Sequence, residues 1–189
     1  MAYWLMKSEP DTYGIDDLIK EGTGMWEGCR NFTVRNFFKN DFKVGDLAFF
    51  HHSNVAPVGV IGIMEVVGEA YPDPTQFDPK SHYYAPKSRK EAPMWLAVDM
   101  KFVRKFDRTV TLAEIKAHPV LGKMWVARKG MRLSVMPVTE EEWNTLLALP
   151  YPASSPSRKV RILKPIDRAD STSSLKMPRC GSIFPSTCG

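Results

Sequence analysis

The sequence predicts an α+β fold built on one curled, mixed sheet. Strand-like segments outnumber helical ones and follow them in mixed order, without regular alternation. The apolar, β-branched run from Val58 to Val67 is broken by Gly59 and Gly62, a pattern found at bulges and tight barrel bends. Two helices announce their starts with capping boxes, Thr111-Leu112-Ala113-Glu114 and Thr139-Glu140-Glu141-Glu142.

Residues 3–7 alternate as a half-buried strand does, and Pro10 stops them. Ile15 to Lys20 reads as a short helix closed by Gly22. Trp26 lies between Gly24 and Gly28, in a stretch too rich in glycine for a regular element. From Asn31 to about Phe42, phenylalanines at 32, 37, 38 and 42 form a loose helical stripe, best explained by core packing. Lys43-Val44-Gly45-Asp46 is a turn, and Leu47 to His51 the next strand. The loop from Tyr71 to Pro93 holds five prolines and the pair Tyr83-Tyr84, as an ordered rim would. Trp95 to Phe106 alternates as a third long strand. The first capping box opens a helix toward His118, ended by Pro119; Arg132 to Val135 is a short strand; the second box opens a helix through Leu147.

A chain of 189 residues, 43% of them hydrophobic, can bury one substantial core. No run approaches the roughly 18 apolar residues of a membrane span, and the first residues lack the form of a signal peptide. Three cysteines do not suggest a disulfide framework, so a cytoplasmic setting is expected. The net charge of +5 belongs to the tail: residues 151–189 carry seven Lys or Arg and two Asp, and the rest of the chain balances. Rich in Pro and Ser/Thr, that tail is expected to be disordered, with a basic arm for nucleic acid as the alternative. Residues 1–150 are expected to form the domain.

Two segments carry the chemistry. Trp4-Leu5-Met6-Lys7-Ser8-Glu9-Pro10 ends a strand in a cation, a hydroxyl and a carboxylate. Trp26-Glu27-Gly28-Cys29-Arg30-Asn31-Phe32-Thr33-Val34-Arg35-Asn36 sets an indole beside a guanidinium and two carboxamides. A flat surface with donors and acceptors, and no evident nucleophile, suits a planar polar ring such as a nucleobase. Strand alternation would let at most two of Lys7, Ser8 and Glu9 face one pocket. Trp26 is either a stacking platform or a partly buried lid. Arg30 can offer a planar fork; Asn31 either meets the base or caps the following helix. Asn36 is equally open. His51 and Ser53 lie near, but adjacency in sequence is not a nucleophile–base pair. Cys29 is expected to be a small buried hydrophobe. The histidines and cysteines have no zinc spacing, and no phosphate loop is present, so neither metal nor cofactor is expected.

The same two segments, with Tyr71-Pro72-Asp73-Pro74-Thr75, Tyr83-Tyr84-Ala85-Pro86-Lys87-Ser88 and Arg132-Leu133-Ser134-Val135, resemble the EVE domain family from Tyr3 to about Leu149. The resemblance implies a PUA-like pseudobarrel flanked by short helices, related to the YTH readers of methylated RNA. It implies a non-enzymatic module that holds a modified base of DNA or RNA, such as a methylated or hydroxymethylated cytosine. Lys7, Ser8, Glu9, Trp26, Arg30, Asn31, Asn36, His51 and Ser53 are then the candidate base-binding residues. Lys87, Arg89, Arg128, Lys129 and Arg132 are candidates for the nucleic-acid backbone, against the alternative of solvated turns. The competing classes are a hydrolase-like enzyme acting on a nucleotide-like small molecule and a peptide-binding module.

Overall fold

The structure, a computed structural model, describes residues 1–149; the expectations for the tail lie outside the described residues. Tyr3–Ser8 forms β1, buried through Trp4, Leu5 and Met6. Helix α1, Ile15–Glu21, turns its Ile15 and Leu18 inward and ends at Gly22 with φ 73°. A short strand β2, Thr23–Trp26, follows, then helix α2, Phe32–Asn40. Strands β3, Leu47–His52, and β4, Gly59–Val66, form a hairpin. After the two-residue β5, Tyr71–Pro72, comes β6, Leu96–Thr111, the long strand of the sheet. Helix α3, Leu112–Ala117, strand β7, Val135–Val138, and helix α4, Glu140–Ala148, complete the described fold.

The seven strands form a mixed sheet in the order β2-β6-β4-β3-β1-β7, with β5 pairing β6. β1 and β3 are parallel, and the other pairings are antiparallel. Register irregularities at Phe50/His51, Val60/Gly62 and Ile63/Met64 mark where the ladder bends. Gly62 is required there: a Cβ would stand 2.5 Å from the Arg104 carbonyl oxygen.

Both faces of the sheet are buried. Along β1, Trp4 and Met6 join one cluster with Phe50, Trp26 and Phe38. Leu5, pointing the other way, joins Phe49, Trp143 and the residues of α3 and α4. The sheet is open, since β2 and β7 share no ladder. The two edges nevertheless approach beyond the strands, where Cys29 Sγ lies 3.7 Å from Ser134 Oγ. The Lys7 amide donates to the Ser134 carbonyl at 2.7 Å, tying β1 to the same seam.

Three boundaries differ from expectation. The Trp26 segment is a strand, because residues 23–26 pair in register with Lys101 to Val98 of β6. β6 runs five residues beyond Phe106, to the threonine whose hydroxyl caps α3. β7 begins at Val135, where pairing with Met6 starts, so Arg132 to Ser134 stay outside it.

Candidate functional site

The C-terminal end of β1 opens into a cavity of about 580 Å³ at the seam between β2 and β7. Its volume falls within the roughly 300–1,000 Å³ typical of small-ligand sites. Lys7, Ser8 and Glu9 all line it. Strand alternation would forbid that, but β1 ends at Ser8 and Glu9 already belongs to the turn toward Pro10. Opposite them stand Met25 to Cys29, with Ser53, His82, Tyr83, Arg132 and Ser134 closing the ring. Tyr13 completes one wall; its hydroxyl donates to Glu21 at 2.7 Å, in space left by Gly24, whose Cβ would meet it at 1.9 Å.

Several polar groups here are already committed. The Ser8 hydroxyl donates to the Tyr13 carbonyl at 2.7 Å, and that of Ser53 to the Ser8 carbonyl at 3.2 Å. Asn54 donates its side-chain amide to Glu9. The Lys7 ammonium reaches the Met131 carbonyl at 3.4 Å, a long contact that leaves donors to spare. Burial lowers the Lys7 pKa from its ordinary value. Burial raises that of Glu27, and the charge of Asp73 adds to the effect against the pull of Arg30.

The wall behind the cavity is built on Asp73, which is fully buried. Its carboxylate accepts from Arg30 Nη1 at 2.7 Å, the Gly28 amide at 2.9 Å and the Thr75 amide and hydroxyl at 2.8 and 2.6 Å. Burial alone would raise the Asp73 pKa; the bonds from Arg30, Thr75 and Gly28 outweigh it and hold the carboxyl below its usual range. Arg30 also donates to the Tyr83 carbonyl through Nε and Nη2 and to the Thr75 hydroxyl at 2.9 Å. Gly28 has φ 76°, and a Cβ there would lie 2.7 Å from the Tyr83 ring. The glycine thus lets an aromatic ring from the rim loop close directly on the β2 end.

This geometry revises several expected roles. Arg30 is anchored in the wall and does not line the cavity. Asn31 caps α2, its side-chain oxygen accepting from the Thr33 and Val34 amides at 2.8 and 3.3 Å. Asn36 is exposed on α2, bonded to Arg35. His51 is buried away from the lining, with both ring nitrogens unpartnered; burial pushes its pKa down to about 4, and the Lys7 charge adds to that. Trp26 does line the cavity, but is only 6% exposed and meets Phe50 edge-on at 5.4 Å. Of the backbone candidates, Arg132 reaches the cavity; Lys87, Arg89, Arg128 and Lys129 are exposed and outside it. Sequence reasoning missed Glu27, Tyr83 and Ser134 as lining residues. Each lies within a block that carries the family resemblance, which was the available signal.

Among the described residues, neither Cys29 nor Ser53 is paired with a base. Burial pushes the Cys29 thiol up to about 11, and its neighbour is a serine hydroxyl. His52 Nε2 accepts from the Ile15 amide at 3.2 Å, so it is not available to Ser53. A second hollow of about 780 Å³ runs between α2 and Glu69–Ala70, edged by Arg35, Lys39 and Lys43. It shares no lining residue with the first and holds none of the polar residues at the end of β1. Among the described residues no group of His, Cys, Asp or Glu could hold a metal, and no helix is long and apolar enough to cross a membrane.

The sequence model of the EVE domain matches residues 2–149. Human thymocyte nuclear protein 1 is 40% identical over 166 residues, covering 78% of this chain and 73% of that protein. Its chicken counterpart is 42% identical over 168 residues, covering 78% and 68%. A crystal structure of a Pseudomonas syringae protein superposes with a TM-score of 0.77 at 45% identity, covering 79% of this chain and 100% of that one. The crystal structure of human THYN1 protein in complex with 5-methylcytosine containing DNA superposes with a TM-score of 0.73 at 40% identity, covering 80% and 99%. The PUA-like mixed sheet and these relatives agree, and the chain belongs to the EVE domain family.

Proposed function

We propose that this chain is a non-enzymatic reader of a modified base in nucleic acid, with 5-methylcytosine in DNA as the leading ligand. The observation that carries the reading is the cavity at the end of β1. It has aromatic walls from Trp26, Tyr13 and Tyr83, and both hydrogen-bond donors and acceptors, but no paired nucleophile and base. The complex of the human relative with 5-methylcytosine containing DNA favours DNA over RNA and over a free nucleotide. A base in a duplex must leave the stack to enter such a cavity, at a few kcal/mol that the contacts inside must recover.

Lys7, Ser8, Glu9 and Ser53 form the polar side, and the Tyr83 ring or the edge of Trp26 meets the base. Arg30 acts behind the wall, Asn31 and His51 act through the fold, and Asn36 lies exposed on α2, outside the cavity. Arg132 at the mouth is the phosphate contact best placed to help; Lys87, Arg89, Arg128 and Lys129 extend the basic surface. Residues 1–150 act as the reading domain, and residues 151–189 add nonspecific attraction to phosphate. A cytoplasmic setting suits a nucleic-acid reader with a free thiol at Cys29.

The test is an NMR titration with a short 5-methylcytosine oligonucleotide. Amides of residues 7–9, 25–29, 53, 82–83 and 132–134 should shift together. Shifts confined to the Arg35–Lys39–Lys43 hollow would move the site there.

A further inference from the structure

Resting on that reading, we infer that Glu27 is the residue that selects the base, by accepting a hydrogen bond from an exocyclic amine. The cavity would therefore take 5-methylcytosine and reject thymine, which carries the same methyl group. Glu9 already holds one donor, from Asn54, and the Ser8 and Ser53 hydroxyls spend their single proton on main-chain carbonyls, so that their oxygens can still accept but only as neutral groups. Glu27 is half-buried, lines the cavity, and its carboxylate makes no hydrogen bond or ion pair to any described residue.

A carboxylate held partly out of water without a donor is costly, and a ligand that brings one removes the cost. Arg30, the nearby cation, makes no hydrogen bond to Glu27 and spends its bonds on Asp73, Thr75 and Tyr83, so its charge offsets the cost only in part. Burial and the charge of Asp73 raise the Glu27 pKa, in keeping with a carboxylate that lacks a donor. The complementary donor is the Lys7 ammonium, with protons left after its long contact to Met131.

One acceptor and one strong donor lining the same cavity are the pair of groups that the edge of cytosine calls for, since its N4 amine donates while N3 and O2 accept. Thymine reverses that edge. Its O4 would face the Glu27 carboxylate, acceptor against acceptor, and its N3–H would face the Lys7 ammonium. A base edge satisfied by such a pair is discriminated by roughly 5- to 150-fold from one that is not.

The test places 5-methylcytosine, cytosine or thymine opposite an abasic site in otherwise identical duplexes, so that no base pair must be broken. Wild-type protein should prefer 5-methylcytosine to thymine at least ~5-fold. In Glu27→Gln, whose amide can donate to O4, that ratio should fall toward one. The ratio of 5-methylcytosine to cytosine should stay, because both bases carry the same N4 amine. A second measurement needs no variant: a 5-methylpyrimidin-2-one nucleotide, which lacks only the amine, should bind wild-type protein more weakly than 5-methylcytosine does. An unchanged 5-methylcytosine to thymine ratio in folded Glu27→Gln, or full affinity for the pyrimidinone, overturns the role of Glu27. Equal affinity of wild-type protein for 5-methylcytosine and cytosine instead overturns the underlying reader function, so the two failures are distinct.

Discussion

Arg30 and Asp73 lie 2.7 Å apart, joining the end of β2 to the start of the rim loop through an ion pair whose carboxylate is fully buried. Because the Gly28 amide and Tyr83 carbonyl hang on the same pair, it fixes the distance between the two sides of one cavity wall. Removing one partner of such a pair strands the other, at about 3–5 kcal/mol. Asp73→Ala should lose stability of that order in urea unfolding, and more than Asn36→Ala, whose carboxamide is exposed.

Gly28→Ala should disrupt the site for two reasons together. The φ of 76° disfavours any Cβ, and the Tyr83 ring atoms at 2.7 Å leave no room for one. Tyr83 must therefore move out of the cavity, and affinity for a modified-base oligonucleotide should fall about tenfold or more. Fluorescence anisotropy on the folded variant checks this.

The tyrosine and the tryptophan should separate stability from binding. Trp26 is nearly buried against Phe50, so Trp26→Ala should cost about 3–5 kcal/mol of stability in addition to any binding loss. Tyr83→Ala keeps the carbonyl that holds Arg30, and should weaken base binding by about 1–3 kcal/mol while the melting temperature falls less. Paired melting and titration curves for both variants decide it.

Most of the fold was legible because strong periodicity and capping boxes mark β1, β3, β4, α3 and α4. β2 was not, because a four-residue strand flanked by glycines owes its form to pairing with β6, a nonlocal cause. Lys7, Ser8, Glu9 and Ser53 do line the cavity, but strand alternation allowed at most two of the first three, because the turn that begins at Glu9 was not legible in the residue pattern. Arg30 and Asn31 have the right chemistry for a base, but spend it on Asp73 and on the α2 amides. Partners that distant in sequence, or that local, cannot be ranked against a ligand from residue type alone.

His51 should make stability depend on pH. Its pKa is about 4 in the fold, against an ordinary 6.5, chiefly from burial and then from Lys7, with His52 adding. The fold therefore favours the neutral ring. The stabilisation is complete above pH ~6.5 and is lost as pH falls through ~4, amounting to up to about 3 kcal/mol. Urea midpoints between pH 7 and 4.5 should decline for the wild type and stay flatter in His51→Phe, which cannot take up a proton there.

Filling the cavity tests its role as the base site most directly. Ser53 lines the cavity and is half-buried, so Ser53→Phe should occupy the space without touching the Arg30–Asp73 wall. The measurement is the affinity of wild-type and Ser53→Phe protein for two duplexes that differ only by one cytosine methyl group. Wild type should bind the methylated duplex at least ~5-fold more tightly. In Ser53→Phe both duplexes should bind equally and weakly, with the residual salt-dependent attraction of exposed Lys and Arg. A methyl preference that survives the filled cavity, or is absent from the wild type, would contradict the assignment.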